Sequence, residues 1–316
     1  MTCPCTLAVL AAGWSALAYF SYKLLNALYN ILYPFAIAAP KDLKKLAGGA
    51  KWAVVTGSTD GIGKSYAVEL ARRGFNIVLI SRTQSKLDEV KQEILQKTPN
   101  VEVRTISFDF TNANLADYEE KIVKQLNGVD VGVLVNNVGM SFEYPDRFDK
   151  ISGGTKSLTD ITVINTVPVT VLTAEILKQM VPRNAGVIIN LASAASYHQM
   201  RYWSIYSATK KFVTHLTHIL SKEFDKTGIV FQVVCPMLVA TKMSKAKAAF
   251  FSPGPEAFVK QALRSVGHVS ETTGCLSHEL QANVFALPGL LIDSVMDKGN
   301  LAIRNRALKK KEAKKE

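Results

Sequence analysis

The chain has 316 residues, enough to bury a sizeable core, and its 48% apolar and 20% charged residues are ordinary globular composition with an apolar excess. Its net charge of +12 comes without an aromatic-interleaved basic patch or a nucleic-acid motif, which argues against a nucleic-acid-binding protein. The four cysteines have neither a disulfide-framework nor a metal-site spacing, a pattern typical of a reducing compartment.

The apolar excess lies at the N-terminus. Residues 3–22 carry no charge, and residues 24–39 are uncharged again. About 20 apolar residues suffice to cross a bilayer, and the basic residues follow this run instead of preceding it. We therefore predict a retained membrane anchor with the next domain on the cytosolic side, in preference to a cleaved signal. The second run contains Asn26, Asn30 and Pro34, and we predict an interfacial helix or a re-entrant segment there in preference to a second span.

After residue 40, short apolar runs alternate with helical patterns. Strands are predicted at Trp52–Val55, Ile77–Ile80, Val103–Ser107, Val131–Val135, Gly186–Leu191 and Ile229–Val234. Helices are predicted at Ser65–Arg73, Lys86–Gln96, Ile161–Val181 and Tyr206–Phe224. Apolar strands that alternate with helices indicate a parallel sheet covered on both faces. We predict a doubly wound α/β domain of Rossmann type over residues 46–300, between an anchor segment (1–45) and a basic tail (301–316).

A glycine-rich turn, Thr56-Gly57-Ser58-Thr59-Asp60-Gly61-Ile62-Gly63, follows the first strand. Such a turn lets the backbone approach a pyrophosphate at a helix N-terminus, where free N–H groups favour anions. The phosphate loop of nucleoside triphosphatases is the specific rival, because Lys64-Ser65 follows. That loop needs glycine at position 58, where this chain has Ser58. The turn therefore predicts a dinucleotide site.

Cofactor choice depends on the end of the second strand. NAD-selective turns place a carboxylate there for the ribose 2′-hydroxyl, whereas a 2′-phosphate needs a cation. This chain has Ser81-Arg82 and no carboxylate until Asp88. A guanidinium can clamp a phosphate with paired donors, so we predict NADP(H) over NAD(H).

Tyr206 and Lys210 lie four residues apart on a predicted helix and share a face. Hydride delivery to a carbonyl leaves an alkoxide that must be protonated, and a tyrosine with a pKa of about 10 is a modest acid. The Lys210 cation would lower the pKa of Tyr206, and Ser193 could donate to the developing oxyanion. Taken alone, the pair could equally be an ordinary helix pair.

These motifs together resemble the short-chain dehydrogenase/reductase family over about Lys51–Met243. The matching features are the glycine turn, Asp109, Asn136-Asn137-Val138-Gly139, Asn165, and Ser193 thirteen residues before Tyr206-x-x-x-Lys210. The resemblance implies a catalytic set of Tyr206, Lys210, Ser193 and Asn165, the last holding a water in the proton relay. It implies a cofactor site formed by Gly57, Ser58, Thr59, Asp60, Gly61, Ile62, Gly63, Arg82, Asp109, Asn136, Gly139, Tyr206, Lys210, Pro236, Val239 and Thr241. Pro168, three residues after Asn165, should bend the helix.

The segment Pro236-Met237-Leu238-Val239-Ala240-Thr241-Lys242 narrows the resemblance. It is similar to the group of 17-beta-hydroxysteroid dehydrogenases of types 3 and 12, which includes microsomal very-long-chain 3-oxoacyl-CoA reductases. That group implies reduction of a 3-oxoacyl-CoA in fatty-acid elongation, with hydroxysteroid oxidoreduction as the alternative. Lys242, Lys245 and Lys247 favour the phosphates of a CoA, although they could instead solvate a mobile loop or meet lipid headgroups. A catalytically silent dinucleotide- or lipid-binding protein is the alternative of another class.

The remaining expectations concern the partners and the C-terminus. The group resemblance implies the endoplasmic-reticulum membrane, and we also expect a hydrophobic lipid substrate and a homodimer. No metal is expected, because His215 and His218 have no third ligand.

The basic tail from Lys298 to Glu316 is predicted to be disordered and drawn to anionic lipid. The apolar stretch Leu287–Met296 is too short to span, and it would cap the substrate pocket or touch the membrane.

Overall fold

A seven-stranded parallel sheet lies at the centre of the computed structural model, which describes residues 4–285 and 289–313. The strands are β1 Trp52–Thr56, β2 Asn76–Ser81, β3 Val103–Ser107, β4 Val131–Asn136, β5 Gly186–Leu191, β6 Ile229–Val234 and β7 Glu271–Thr272. Their order in the sheet is β3-β2-β1-β4-β5-β6-β7. The fold predicted from the sequence is thus confirmed, and the two-residue β7 is the strand that the pattern missed.

Helices cover both faces of this sheet. They are α1 Pro4–Leu32, α2 Leu43–Leu46, α3 Gly61–Arg72, α4 Gln84–Lys97, α5 Leu115–Tyr118, α6 Lys124–Leu126, α7 Gly154–Arg183, α8 Ser204–Glu223, α9 Pro255–Ser265, α10 Leu276–Phe285 and α11 Gly289–Glu312. Short π-helical turns span Tyr33–Ile37 and Glu119–Val123, and 3-10 turns span Phe148–Lys150 and Ala194–Ser196. The helices after residue 243 were not predicted.

The strands alternate their side chains between two cores. Ala53 and Val55 of β1 pack in one cluster with residues of α3, α4 and α9. Val54 of the same strand packs in the other cluster with Leu172 and Ile176 of α7. Every residue of β1, β4 and β5 is buried, because a parallel sheet covered on both faces leaves no strand face to water.

The long helix α7 begins at Gly154, earlier than predicted, and it remains α-helical through Pro168. The bend expected at Pro168 stays a prediction. In this stretch the hydroxyls of Thr166 and Thr170 donate to the carbonyls of Thr162 and Thr166, at 2.6 and 2.8 Å. Asn165 is thus held within an uninterrupted helical stretch.

The N-terminal segment is one long helix followed by a π-helical turn. Asn26 and Asn30 continue α1 and Pro34 lies in the π turn, so the second apolar run is helical, and its position at a membrane interface stays a prediction. The segment Pro4–Ile37 has a mean hydropathy of 1.3, and none of its most apolar stretch is buried against the rest of the protein. Its length and composition allow it to cross a bilayer. Its base is fixed to the domain, since the Arg264 guanidinium donates to Ala38 O at 3.0 Å.

The basic C-terminal segment is not disordered as predicted, because residues 298–312 belong to α11. The Trp203 indole donates to Asn300 Oδ1 at 3.1 Å, and Arg304 Nε lies 2.6 Å from the carboxylate of Asp146. Cations that look solvated in the sequence thus pair with acceptors on the loop after β4. Part of the apolar stretch Leu287–Met296 lies outside the described residues.

Candidate active site

The candidate site lies where the sheet order reverses direction, between β1 and β4. The chain leaves β1 into the glycine turn and leaves β4 into Asn137-Val138-Gly139. The carboxyl ends of these adjacent parallel strands diverge into loops on opposite sides, which opens a crevice between them. The predicted cofactor and catalytic residues converge on this edge.

Glycine is required at several points of the turn. Gly57 and Gly61 have φ values of 62° and 55°, in the left-handed region that other residues rarely adopt. A Cβ on Gly63 would lie 2.3 Å from the carbonyl oxygen of Gly57. The turn is therefore compact, and α3 begins at Gly61 with its N-terminal amides at the crevice. Asp60 caps the helix by accepting from Gly61 N at 2.8 Å.

Asn137 supports this turn, a role that we did not assign from the sequence. Its side-chain amide donates to the carbonyls of Thr56 and Gly57, at 2.9 and 3.2 Å. The Thr56 hydroxyl in turn accepts from the backbone amides of Asn137 and Val138, each at 3.0 Å. The motif Asn136-Asn137-Val138-Gly139 is the sequence signal that could have indicated this role.

Asn136 points its amide into the protein interior instead. Its Nδ2 donates to Thr173 Oγ1 at 3.1 Å and to Asn190 Oδ1 at 2.9 Å, so the side chain ties β4 to α7 and β5. Its Oδ1 has no hydrogen-bond partner within the described part of the chain. In this structure Asn136 holds the strand ends that form the crevice, and contact with a cofactor stays a prediction.

Arg82 and Asp109 lie at the ends of β2 and β3, as expected from their sequence positions. Arg82 Nη1 is 3.8 Å from Asp109 Oδ2, and the arginine side chain is 73% exposed. Exposed ion pairs of this kind are weak, so the guanidinium is available for another anion. Thr59 of the glycine turn lies nearby, with its hydroxyl 3.1 Å from the hydroxyl of Ser81.

Ser193 and Tyr206 meet across the site. Ser193 follows β5, Tyr206 is in the first turns of α8, and their hydroxyls form a hydrogen bond. Burial raises the pKa of Tyr206, and the hydrogen bond from Ser193 opposes that rise. We expected Lys210 to lower the pKa of Tyr206. In the structure burial has the larger effect, and the opposing influence comes from Ser193.

Lys210 is buried one helical turn after Tyr206. Its Nζ lies 5.9 Å from the centroid of the Tyr206 ring and donates to Leu191 O at 2.9 Å. Burial lowers the pKa of Lys210 to about 8, while nearby Cys235 opposes the shift. An ammonium has three donors, so two remain for hydroxyl groups of a ligand. The cation is held without a carboxylate partner among the described residues.

Asn165 connects α7 to the loop and helix that carry the other groups. Its Oδ1 accepts from Met140 N at 2.9 Å, and its Nδ2 donates to Met140 O and Thr209 Oγ1, each at 3.0 Å. A Cβ on Gly139 would lie 2.9 Å from Asn165 Oδ1 and 3.2 Å from Lys210 Nζ. Glycine at 139 therefore lets Asn165 and Lys210 approach. One lone pair of Asn165 Oδ1 is left for the expected water.

An apolar wall lies beside Tyr206, and no sequence pattern predicted it. The ring centroid of Trp203 is 6.0 Å from that of Tyr206 and 6.3 Å from that of Phe142. Met140 and Ile161 belong to the same cluster. A lipid-like group adjacent to the phenol would contact these side chains.

The three lysines considered for phosphate binding do not all lie at one place in the structure. Lys242 and Lys245 line a cavity of about 480 Å³ between α3 and α9, whereas Lys247 is not among its lining residues. Lys242 Nζ is 3.2 Å from Asp60 Oδ2, at the start of α3. These cations therefore lie beside the glycine turn, close to the expected pyrophosphate position.

The crevice fits a nicotinamide dinucleotide. The turn supplies close backbone approach and helix N-terminal amides for a pyrophosphate, and Arg82 supplies an exposed cation for a 2′-phosphate. Lys210 retains donors for ribose hydroxyls, next to the phenol and hydroxyl of Tyr206 and Ser193. Proton donor, oxyanion donor and cofactor site thus occur together, as reduction of a carbonyl requires.

Comparison with known proteins agrees with this geometry. Residues 51–250 match the family model described as short chain dehydrogenase. The chain is 54% identical over 314 residues to "Very-long-chain 3-oxooacyl-coA reductase let-767" of Caenorhabditis elegans, covering 99% of this chain and 98% of that protein. It is 50% identical over 304 residues to "Putative steroid dehydrogenase 2" of the same organism, covering 96% of both chains.

Solved structures agree in fold. A 7beta-hydroxysteroid dehydrogenase structure superposes with a TM-score of 0.71 at 18% identity, covering 81% of this chain and 99% of the other. A short-chain dehydrogenase from Sphingobium yanoikuyae in complex with NADPH has a TM-score of 0.56 and 26% identity, covering 74% of this chain and 82% of that one.

Proposed function

This chain belongs to the short-chain dehydrogenase family, and we propose that it is a membrane-anchored, NADP(H)-dependent reductase of very-long-chain 3-oxoacyl-CoA. The observation that carries the proposal is the near full-length similarity to a reductase of that name, at 54% identity. The presence of Ser193, Tyr206 and Lys210 in a formed site supports catalysis, against a silent dinucleotide- or lipid-binding protein.

NADPH, when bound, supplies the hydride to the carbonyl carbon. Tyr206 donates its phenolic proton to the carbonyl oxygen; a tyrosine is protonated at neutral pH, and burial raises the pKa of this phenol further. Ser193, already within hydrogen-bond reach of the phenol, donates to the same oxygen as negative charge develops on it. The Lys210 cation beside the phenol stabilises the tyrosinate that remains after proton transfer.

The cofactor is NADP(H). Similar enzymes of solved structure contain NADPH, and Arg82 is exposed at the end of β2, where a 2′-phosphate is read. We propose that the glycine turn, Gly139 and Thr241 approach the dinucleotide through backbone and short side chains. Asp109 would accept from the adenine with Oδ2, which lies 3.8 Å from the exposed Arg82, whereas its Oδ1 accepts from the amide and hydroxyl of Thr111.

A hydroxysteroid dehydrogenase is the second candidate. The relative with a steroid dehydrogenase name is 50% identical over 96% of the chain, only slightly less than the reductase. The apolar wall of Phe142 and Trp203 suits an acyl chain and a steroid equally. What separates the two substrates is the phosphate charge of a CoA, for which Lys242 and Lys245 are the nearest candidates.

The assay that tests this proposal uses purified full-length protein with NADPH, a long-chain 3-oxoacyl-CoA and a ketosteroid. We expect efficient turnover of the CoA ester. At saturating NADPH, the variant K242A/K245A should raise the KM of the CoA ester without changing that of the ketosteroid. Efficient steroid reduction without detectable CoA-ester turnover would reverse the ranking. The location proposed for the enzyme is the endoplasmic-reticulum membrane, with the domain facing the cytosol, and the homodimer stays a prediction.

A further inference from the structure

Large apolar side chains lie exposed on the segment between β6 and α9. Leu238, Met243, Phe250 and Phe251 are 61%, 62%, 68% and 53% exposed, and we call this group the Phe250 surface. Scattered apolar side chains are normal on a protein surface, but two neighbouring phenylalanines with further apolar residues on one segment indicate an interaction site.

The two phenylalanines are fixed in this exposed position. Ala249 and Ser252 form two backbone hydrogen bonds, at 3.0 and 3.1 Å, which place Phe250 and Phe251 at the tip of a tight turn. The Ser252 hydroxyl also donates to Lys247 O at 2.6 Å. The two rings pack edge to face, with centroids 4.9 Å apart. Their exposure is therefore a property of an ordered turn.

The charge of this segment identifies the chemistry of a partner. Residues 237–252 contain Lys242, Lys245 and Lys247 and no aspartate or glutamate, although Lys242 pairs with Asp60 of the glycine turn at 3.2 Å. Exposed phenylalanines with surrounding lysines are the composition of segments that lie in a membrane interface, where the rings enter the acyl boundary and the ammonium groups meet anionic headgroups.

The position of the Phe250 surface supports the same partner. Gln281 Nε2 of α10 donates to Phe251 O at 3.1 Å, and α10 also packs against α1. The helix that follows the segment, α9, contacts the π-helical turn at the base of α1, where Tyr33 lies edge-on to His268 at 5.8 Å. The elements that fix the turn are thus the ones that hold the proposed membrane helix.

We propose that the Phe250 surface is a second membrane contact that inserts into an anionic bilayer beside α1. This inference rests on the proposed membrane anchor, because α1 brings the surface to the bilayer. The segment follows Pro236, one of the residues expected at the cofactor site, so its insertion would bring this side of the site to the acyl boundary. A lipid substrate would then pass from bilayer to site without crossing water.

The test places a fluorescent reporter on the surface of the full-length protein in vesicles. Phe250→Trp is compared with wild type in phosphatidylcholine vesicles containing phosphatidylserine, with and without brominated acyl chains that quench tryptophan at contact distance. Leu115→Trp is the matched control, because Leu115 is also exposed but lies on α5, which follows the opposite edge strand β3. Of the three native tryptophans, Trp14 lies in α1, so its insertion is measured as the bromine quenching that wild type loses in the variant Trp14→Phe.

We expect the fluorescence that Phe250→Trp adds to that of wild type to be blue-shifted in vesicles and mostly lost when the vesicles are brominated. The fluorescence that Leu115→Trp adds should be retained. The loss should decrease when phosphatidylserine is omitted or when K242A/K245A/K247A is added. Quenching of Trp14 together with unquenched Phe250→Trp would overturn this inference and leave the anchor intact. If neither Trp14 nor the tryptophan of Phe250→Trp is quenched, the membrane anchor is overturned as well. A blue shift that depends on protein density at constant lipid would assign the surface to a second copy of the chain and overturn the lipid contact.

Discussion

Tyr206 and Ser193 define the chemistry at the level of single residues. Tyr206→Phe removes the donated proton and keeps the ring against Trp203, so turnover should fall by about 100-fold or more while NADPH binding is nearly unchanged. Steady-state kinetics and NADPH titration measure the two effects. Tyr202→Phe, which removes a phenol four positions earlier, should behave as wild type. Near-normal turnover of Tyr206→Phe would refute the assigned role.

Lys210 gives the reaction a pH dependence with a defined sign. Burial lowers its pKa to about 8, so the folded protein loses this cation as the pH rises through that value. The pKa of Tyr206 is raised, and its titration does not contribute there. NADPH-dependent reduction should therefore decline above pH 8. Lys210→Met should be slow at every pH and lack this decline, as measured by kcat against pH. An unchanged descending limb in that variant would assign the titration to another group.

Arg82 is the residue on which cofactor preference depends. Arg82→Ala should weaken NADPH binding by about tenfold or more, because a charge-assisted contact with the 2′-phosphate is lost, and should change NADH binding little. The control is Arg147→Ala, since Arg147 is likewise exposed and paired with an aspartate, Asp149. Equal losses for both dinucleotides, measured by titration, would show that Arg82 does not read the phosphate.

Among the elements, α11 is the one whose attachment can be tested directly. Arg304 on this helix pairs with Asp146, which is 4% exposed, on the loop after β4. Arg304→Met should destabilise the fold by roughly 3 kcal/mol, because it leaves a buried carboxylate without its cation. Asp146→Asn in the same chain should restore part of the loss. Thermal unfolding of the two single variants and the double variant measures this, and strictly additive losses would contradict the pairing.

The same helix also reaches the apolar wall of the active site. Asn300 accepts from the Trp203 indole, and its amide donates to Arg201 O at 3.1 Å, so α11 fixes the ring that packs beside Tyr206. The sequence pattern did not indicate this, since the helix is polar and strongly basic at its end. By contrast, six strands were predicted at nearly their observed positions, because buried parallel strands are continuous apolar runs.

For the whole molecule, the apolar helix α1 and the proposed cytosolic orientation of the domain predict a defined fractionation. The protein should remain in the membrane pellet after carbonate extraction, because a span of this hydropathy is held by the bilayer core. Trypsin added to sealed microsomes should remove the basic end of the chain. Release by carbonate would contradict the anchor, and protection from trypsin would contradict the orientation.

Local signals in the sequence determined the fold class, the glycine turn and the common helix face of Tyr206 and Lys210. The role expected for Asn165 and most of the expected cofactor site followed from the family resemblance. Periodicity, turn chemistry and spacing within one helix depend on neighbours a few positions apart, so they can be read from the chain alone. Contacts between residues that are far apart in the sequence could not be predicted in this way. Arg304 and Asp146 are 158 positions apart, and packing alone decides that the basic end of the chain is a docked helix. Packing likewise decides that burial, more than Lys210, governs the pKa of Tyr206, because the cost of desolvating a charge exists only in the assembled interior.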